Sequence, residues 1–314
     1  MKRTIALCFW SIFCSLLIFP GVLGLAAVEA AEVSRDKTFV MGRVTENPKK
    51  HHTALEQMGG YLQSHLADLG YEAFDVVVAR DISEMLRFMR EGKVDALSET
   101  PFSAVRLIDD ADAVALLREW KKGVSSYKSV FFADQNGAVT QLTDLKGKRI
   151  AFENPGSTSA FLIPLAELRK AGVEAVKLDH IEQKPPADKV GYVFTHDEMT
   201  QLMWVARGTV DAGAFSNLNW ADFSGTNVVR DNLRLFYESK PVLRSVFVVR
   251  GDLPDPVKAR IAETLMAMGD DEQGRRVLKV YNEVLKYDQP DDAAMEASMT
   301  NMRELLALLP EVDQ

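Results

Sequence analysis

Three consecutive hydroxyl residues in the middle of the chain have the composition of an anion-binding site. Ser157, Thr158 and Ser159 follow the turn-forming segment Asn154-Pro155-Gly156 and open a predicted helix. The first-turn N–H groups of a helix lack internal acceptors and carry partial positive charge, so these amides and hydroxyls can converge on one small anion. The alternative is that Ser157 is an ordinary N-cap of the helix. Three hydroxyls in succession after Pro-Gly favour the anion site.

Other kinds of chemistry lack the residues that they need. The two cysteines, Cys8 and Cys14, lie in the N-terminal apolar segment, and neither an HExxH motif nor a Cys/His cluster is present. The sequence has no Gly-x-Ser-x-Gly elbow and no GxxxxGK[ST] phosphate loop. The formal net charge of −8 argues against a surface that binds nucleic acid. We therefore predict no enzyme activity, no metal and no cofactor.

Strands and helices alternate along most of the chain. Strands are predicted at residues 38–44, 74–79 and 94–97, with helices between them. After the polar connector at 142–148 the alternation restarts with a strand at 149–152 and continues to a β-branched run near residue 249. Such alternation indicates βαβ units and a mostly parallel sheet flanked by helices.

The restart predicts two α/β lobes, with the chain returning to the first lobe at its end. Lobe 1 is predicted at residues 31–135, lobe 2 at 136–238, and the return at 239–314. The chain would cross between lobes near 134–137 and near 239–244. Ligand sites in such sheets lie outside the carboxyl ends of the strands, where helix N-termini point. The ligand is therefore predicted to bind in the cleft between the lobes.

The sequence resembles the periplasmic phosphate/phosphite/phosphonate-binding proteins of ABC transporters over nearly the whole mature chain. The similarity covers Thr45-Glu46-Asn47-Pro48, Lys93-Val94-Asp95-Ala96, the segment from Asn154 to Phe161, Thr195-His196-Asp197, Gly208-Thr209-Val210-Asp211-Ala212 and Ser239-Lys240-Pro241. The hydroxyl triplet, followed by a histidine and then by a Val-Asp strand, is its most specific part. The resemblance implies the two-lobed type II fold of periplasmic binding proteins, with the ligand in the interlobe cleft.

The resemblance also implies which residues bind the anion. Ser157, Thr158 and Ser159 match the family's oxyanion-binding triplet, and His196 matches a histidine that contacts the anion. Thr195, directly before His196, is included in the predicted site. Judged alone, a histidine at a helix start is more often a cap or a surface residue. Imidazole titrates near neutrality, so a donor imidazole facing an anion is chemically reasonable.

Two features depart from phosphonate binders that recognise an aminoethyl group. Glu99 and Ile82 stand where such binders have tyrosines, and Leu218 and residues 243–245 lack the acidic groups that would meet an ammonium. A carboxylate next to an oxyanion is repulsive unless the ligand carries a proton. Glu99 is therefore predicted to accept a hydrogen bond from a protonated phosphate, phosphite or methylphosphonate. The alternative is that Glu99 caps the following helix. Arg244, near the second crossing, could supply a positive charge to the ligand, but pairing with an acidic surface neighbour is the favoured interpretation.

The first thirty residues are predicted to be a signal peptide. Lys2 and Arg3 precede an apolar run at residues 5–27, and Val28-Glu29-Ala30 places small residues at the −3 and −1 positions of a cleavage site. The alternative is an uncleaved membrane anchor, because the run approaches the ~20 residues that a span needs. A proline and two glycines near the end of the run favour cleavage near Ala30 and a periplasmic location.

The function that the resemblance implies is capture of a small phosphorus oxyanion (phosphate, phosphite or a phosphonate) for an ABC importer by hinge closure. The partners would be this ligand and the transporter's permease in the inner membrane. The protein is predicted to be a monomer. The alternative is a periplasmic receptor that reports the ligand to a membrane signalling protein.

We expect residues 1–30 to be absent from the protein extracted from the cell envelope, because the chain is cut after Ala30. Intact-mass spectrometry of the extracted protein measures this. In a control variant, Ala30→Phe, the bulky side chain at the −1 position should block cleavage and leave the full mass. A wild-type mass that includes Cys8 and Cys14 would contradict both export by this route and the absence of thiols.

Overall fold

The computed structural model describes residues 34–45 and 47–309, so the predicted signal peptide lies outside the described residues. Within them the chain forms fourteen strands: β1 (Thr38–Val44), β2 (Ala73–Ala79), β3 (Ala96–Glu99), β4 (Val114–Lys121), β5 (Ser126–Tyr127), β6 (Ser129–Asp134), β7 (Arg149–Phe152), β8 (Glu174–Lys177), β9 (Lys189–Phe194), β10 (Ala212–Ser216), β11 (Leu233–Glu238), β12 (Val242–Leu243), β13 (Ser245–Val249) and β14 (Val284–Asp288).

The same residues form ten α-helices: α1 (Pro48–Leu66), α2 (Ile82–Arg90), α3 (Pro101–Ala111), α4 (Ile163–Lys170), α5 (Glu198–Ala206), α6 (Asn217–Ser224), α7 (Asn227–Asn232), α8 (Asp255–Ala267), α9 (Glu272–Val280) and α10 (Asp292–Ala307). A turn of π-helix, Thr158–Leu162, leads directly into α4. In this part of the chain, a helix that combines the length and the apolar character needed to cross a membrane is not found.

The first sheet contains six strands in the order β14-β4-β13-β3-β1-β2. β1 pairs in parallel with β2 and with β3, where Met41 lies opposite Ala96. β13 and β14 run against the other four strands. Because β1, β3 and β4 share one direction, their last residues, Val44, Glu99 and Lys121, lie at the same edge of the sheet.

The second sheet also contains six strands, in the order β11-β6-β10-β7-β9-β8. β6 runs against the other five strands. β7 and β9 are parallel neighbours, with Phe152 opposite Phe194 at their carboxyl ends. The segments that follow these two residues therefore leave the sheet together. One carries the hydroxyl triplet and the other carries Thr195 and His196.

In each sheet most strands run in one direction, and helices surround both sheets. The predicted α/β class is therefore confirmed.

Two short segments connect the sheets. The first, residues 122–128, contains β5, and the second, 239–244, contains β12; these strands pair antiparallel, with Tyr127 opposite Val242. The first crossing therefore precedes the segment 134–137 in which the sequence placed it, and the limit of lobe 1 at residue 135 needs correction. The reason is that Ser129–Asp134 is β6, which pairs with β10 and β11 and belongs to the second sheet.

Aromatic packing attaches the start of the α4 segment to the second sheet. Phe161, in the π turn, is buried, and its ring centroid lies 5.3 Å from that of Phe152 on β7. The Phe161 centroid lies 5.0 Å from that of Phe194 on β9. Both pairs are edge-on, an arrangement that adds about 0.5–1.5 kcal/mol per pair to the stabilisation from burial. The hydroxyl triplet thus precedes an aromatic anchor fixed to two neighbouring strands.

A second aromatic group fills the space against β6 and β10. The ring centroids of Phe132 and Phe215 lie 4.4 Å apart, and Trp220 lies 5.8 Å from Phe132. Gly213 leaves the room that Phe132 occupies, because a Cβ atom at this position would lie 2.5 Å from the Phe132 Cζ atom. This close approach explains a glycine in the middle of a buried strand.

We expect Gly213→Ala to lower the free energy of unfolding by roughly 1–3 kcal/mol, because Phe132 must leave its position between Phe215 and Trp220. Urea denaturation followed by tryptophan fluorescence measures the change.

The matched control is Gly225→Ala at the end of α6. A Cβ atom at Gly225 meets nothing within 4 Å, and the backbone there is right-handed helical, with φ −73°. The control should be as stable as the wild type or slightly more stable. Equal losses in both variants would show that alanine is not excluded at Gly213 by Phe132.

Candidate ligand-binding site

The hydroxyl triplet lies where β7 turns into a π-helical turn. The Ser157 hydroxyl accepts a hydrogen bond from the Ala160 amide at 3.2 Å, and the Ser157 carbonyl accepts from the Leu162 amide at 3.0 Å, five residues later. Pro164 has no N–H to donate to the Ala160 carbonyl, which instead accepts from the Glu153 amide at 3.4 Å. The missing proline donor thus leaves the Ala160 carbonyl available to Glu153. Turns of this kind are frequent at functional sites.

Thr158 contacts the first sheet. Its side chain is 3% exposed, and its hydroxyl donates to the Thr100 hydroxyl at 3.0 Å. Thr100 directly follows β3 and is the N-cap residue of α3. Hydroxyl groups from the ends of strands in both sheets therefore meet at one point.

Tyr127, on β5, brings a third polar group to the same point. Burial raises the pKa of the Tyr127 hydroxyl, and the nearby Arg244 cation together with hydrogen bonding from Ser159 and Thr158 opposes this shift. The Arg244 guanidinium lies 4.6 Å from the centre of the Tyr127 ring. The arginine that the sequence assigned to the surface therefore stacks on a buried tyrosine next to the triplet.

Both connections between the sheets hold the triplet in place. The Ser129 hydroxyl donates to the Ser159 carbonyl at 2.7 Å, and the Ser239 hydroxyl accepts from the Ser129 amide at 3.0 Å. The Arg244 amide donates to the Ser125 carbonyl at 2.9 Å. The two connecting segments are thus bonded to each other, and Ser129, the first residue of β6, is bonded both to the second segment and to the backbone of the triplet.

Glu99, at the carboxyl end of β3, is a desolvated carboxyl group. Burial raises the pKa of Glu99, while the cations of Arg43 and Lys121 and the backbone amides of Thr100 and Val44 favour its ionised form. Burial is the larger effect, so the fold favours the protonated form more than water does. A protonated Glu99 can donate a hydrogen bond, and an ionised one can only accept.

Three cations lie around Glu99 and Tyr127. Burial and the repulsion of Arg43 and Arg244 lower the pKa of Lys121 to about 8, against the attraction of Glu119 and Glu99. The Arg43 guanidinium donates to the Asn282 side-chain carbonyl at 2.9 Å. His51, in the first turns of α1, lies in the same field: burial and the cations of Arg43, Lys50 and Lys121 lower its pKa to about 4. His51 is therefore neutral at neutral pH.

Thr195 and His196 lie beside the triplet segment but differ from it in their contacts. The His196 amide donates to the Glu153 carbonyl at 2.8 Å, its backbone is left-handed with φ 58°, and its ring is exposed. The Thr195 hydroxyl bonds the carbonyls of Phe152 and Asp197 at 3.1 and 3.0 Å. Thr195 therefore shapes the loop that presents the histidine.

Glu153 connects this loop to the first residue of the triplet. Burial raises the pKa of Glu153, the carboxylates of Glu198 and Asp197 raise it further, and hydrogen bonding from Ser157 opposes the shift. The three residues of the triplet therefore have different contacts. Thr158 and Ser159 contact Tyr127, whereas Ser157 contacts Glu153. Among the described residues, His196 makes no side-chain hydrogen bond to the triplet.

Tyr127, Arg43 and Lys121 were not recognised in the sequence. Arg43 and Lys121 lie at the ends of β1 and β4, so charged residues at strand ends were the available signal. Tyr127 could be found only once the crossing was placed correctly. In residues 34–45 and 47–309, His, Cys, Asp and Glu form no group of three that could hold a metal ion.

Comparison with known proteins shows what the whole chain is similar to. The family model described as "ABC transporter, phosphonate, periplasmic substrate-binding protein" matches residues 44–295. A curated relative, the probable ABC transporter phosphite-binding protein PhnD1 of Prochlorococcus marinus (strain MIT 9301), is 30% identical over 167 residues. That match covers 51% of this chain and 49% of the relative, so the chain aligns with about half of the relative's length.

Solved structures share the fold over most of the chain. XAC2383 from Xanthomonas citri, bound to chloride, has a TM-score of 0.80 at 24% identity, covering 87% of this chain and 98% of that one. PhnD1 from Prochlorococcus marinus, in complex with methylphosphonate, has a TM-score of 0.62 at 19% identity, with the same coverage. These likenesses confirm the predicted type II binding-protein fold.

We expect Glu99→Gln to raise the melting temperature of the ligand-free protein at neutral pH, because glutamine has no charged form to desolvate. The folded-state pKa of Glu99 lies above its ordinary value, so the stability cost of the carboxylate is present at high pH. The difference from wild type should vanish as the pH falls below the ordinary glutamate pKa. Thermal melts from acidic to slightly alkaline pH measure it.

The control is Glu263→Gln on α8, where the side chain is exposed. This variant should melt at the wild-type temperature throughout. A lower melting temperature for Glu99→Gln at neutral pH would contradict the assignment, because it would mean that the ionised carboxylate stabilises the fold.

Proposed function

The chain belongs to the family of periplasmic substrate-binding proteins of phosphonate ABC transporters, and we propose that it captures a small phosphorus oxyanion between its two sheets. Phosphate, phosphite and simple phosphonates share the tetrahedral oxygens that hydroxyl groups and cations recognise. One relative, PhnD1 of Prochlorococcus marinus, is named as a phosphite-binding protein, and the same protein was solved with methylphosphonate. Members of this family bind substrates for transport and are not enzymes.

The observation that carries the proposal is the hydrogen bond between Thr158 and Thr100. It joins hydroxyls of the two sheets next to the buried Tyr127. An oxyanion bound at this point would take the place of that bond and accept hydrogen bonds from the hydroxyl groups of both sheets at once. A ligand that contacts both sides binds the closed form more tightly than the open form, and so it shifts the equilibrium towards closure.

The local charge also supports an anionic ligand. The whole chain carries a formal net charge of −8, yet Arg43, Lys121 and Arg244 lie together near Thr158. In a partly desolvated site, cations and hydroxyl donors attract an oxyanion more strongly than they would in water. Selection of an anion by an acidic protein thus depends on this small group of residues.

The location and partners follow from the family. We propose export to the periplasm with cleavage near Ala30, and delivery of the ligand by a monomer to the permease of an ABC importer. The crossing strands β5 and β12 would act as the hinge, because they are the short paired segments between the sheets.

We expect Thr158→Ala to weaken binding of methylphosphonate and phosphite by roughly 1–3 kcal/mol, the range for a lost hydrogen bond to a charged group. Thr158→Ser keeps the hydroxyl and should bind within a few-fold of wild type. Isothermal titration calorimetry measures the affinities, with thermal melts to show that each variant is folded.

Two outcomes would oppose the proposal. If no phosphorus oxyanion raises the melting temperature of the wild-type protein, the ligand class is wrong. If Thr158→Ala binds as tightly as wild type, the triplet is a helix start and not a binding site.

A further inference from the structure

Beyond the hydroxyl groups, the first sheet presents two cations at the carboxyl ends of two parallel strands, β1 and β4, which β3 and β13 separate. Arg43 lies near the end of β1 and Lys121 is the last residue of β4, and both influence Glu99 at the end of β3. The charge of Arg244 also lowers the pKa of Lys121, and the Arg244 guanidinium stacks on the Tyr127 ring. A continuous series of polar groups therefore leads from the hydroxyl triplet to Arg43 and Lys121.

Lys121 lacks an anionic partner within the part of the chain that the structure describes. It forms no ion pair there, and two of the charges that act on it are cations, those of Arg43 and Arg244. Most of its side chain is removed from water. A buried ammonium without an anion is costly, and proteins retain such a group where a ligand completes the pair.

The two nearby carboxylates do not fill this role. Glu119 is fully buried; one carboxylate oxygen bonds the hydroxyls of Ser98 and Tyr287, and the other has no partner among the described residues. Glu99 is held in a setting that favours its protonated form. Neither carboxylate lies within ion-pair distance of Lys121.

Another donor in this region also lacks an acceptor. The Asn282 side-chain amide nitrogen is buried without a hydrogen-bond partner in the described residues, and the Tyr281 hydroxyl is buried beside Ser98. Tyr281 is 1% exposed, and the Asn282 carbonyl oxygen holds Arg43. Unsatisfied buried donors are rare in native proteins, and one that lies next to cations without an ion pair is consistent with an acceptor-rich ligand.

We propose that Arg43 and Lys121 form a second anion subsite, so that the ligand is a phosphonate or phosphate whose organic substituent ends in a second anionic group such as a carboxylate. This inference rests on the proposed function and names the substrate class within it. The phosphorus oxyanion lies against Thr158, Ser159 and Tyr127, and the second anion lies against Lys121 and Arg43. An ammonium in place of the second anion meets two cations and is rejected.

The test compares three probes that share the phosphonate group: phosphonoacetate, methylphosphonate and 2-aminoethylphosphonate. The wild-type protein should bind phosphonoacetate at least about tenfold more tightly than methylphosphonate, the effect of one additional charge-assisted hydrogen bond. 2-Aminoethylphosphonate should bind most weakly of the three. Isothermal titration calorimetry at neutral pH gives the three dissociation constants.

The decisive variant is Lys121→Met, which keeps the long side chain and removes the charge. It should weaken phosphonoacetate by about tenfold or more and methylphosphonate by less than about threefold. Lys121→Arg keeps the charge and should keep the preference. The matched control is Lys122→Met, at the next residue, whose side chain is exposed, and it should bind all three probes as the wild type does.

A thermal melt separates a binding lysine from a structural one. Without ligand, Lys121→Met should melt at a higher temperature than the wild type, because it removes an unpaired buried charge. A lysine that supports the fold would give a lower melting temperature.

The outcomes distinguish the two proposals. If wild type binds methylphosphonate as tightly as phosphonoacetate, or if Lys121→Met retains the preference, the second subsite is wrong. In that case Thr158→Ala still decides the proposed function, provided that methylphosphonate binds. If none of the three phosphonates binds, both proposals fail.

Discussion

Removal of polar groups from water between two sheets is the constraint on which this site depends. Thr158, Tyr127, Glu99 and Lys121 all lie where strands of the two sheets end, and each loses solvent there. Hydroxyl groups can satisfy one another, as Thr158 and Thr100 do. Burial of charged groups costs more free energy than burial of hydroxyl groups, and the pKa values of the charged groups shift for this reason. Under the proposed function, this arrangement would become more favourable when an anion enters it.

The connecting segments fix the positions of these groups relative to one another. β5 and β12 pair with each other, and Ser129 and Ser239 continue the bonding into the second sheet. The Ser129 hydroxyl also donates to the Ser159 carbonyl. The position of the triplet is therefore fixed relative to the start of β6 as well as to β7. Any rotation of the sheets must pivot close to the groups that we propose to contact the ligand. A small change there alters the distance between Thr158 and Thr100 directly.

The sequence was informative where structure is local and silent where it depends on tertiary contacts. The turn that carries the triplet could be predicted because Pro-Gly and three hydroxyls are consecutive in the sequence, whereas the triplet's role in binding stays a prediction. β4 was missed because Glu119 and Lys121 interrupt its apolar pattern, although both side chains belong to the buried side of the site. Tyr127 was missed because its role depends on which strand follows it. Pairing of β6 in the second sheet, which no local pattern specifies, moved the crossing.

The π turn before α4 has a consequence for how this segment can evolve. The Leu162 amide donates to the Ser157 carbonyl five residues earlier, whereas an amide in an α-helix donates to the carbonyl four residues earlier. Deleting one residue would restore the α-helix and rotate the preceding side chains by about 100° relative to α4. Thr158 would then point away from Thr100, while Phe161 would leave its place between Phe152 and Phe194. Relatives that share this site should therefore differ here by substitution, with the number of residues from Ser157 to Pro164 unchanged.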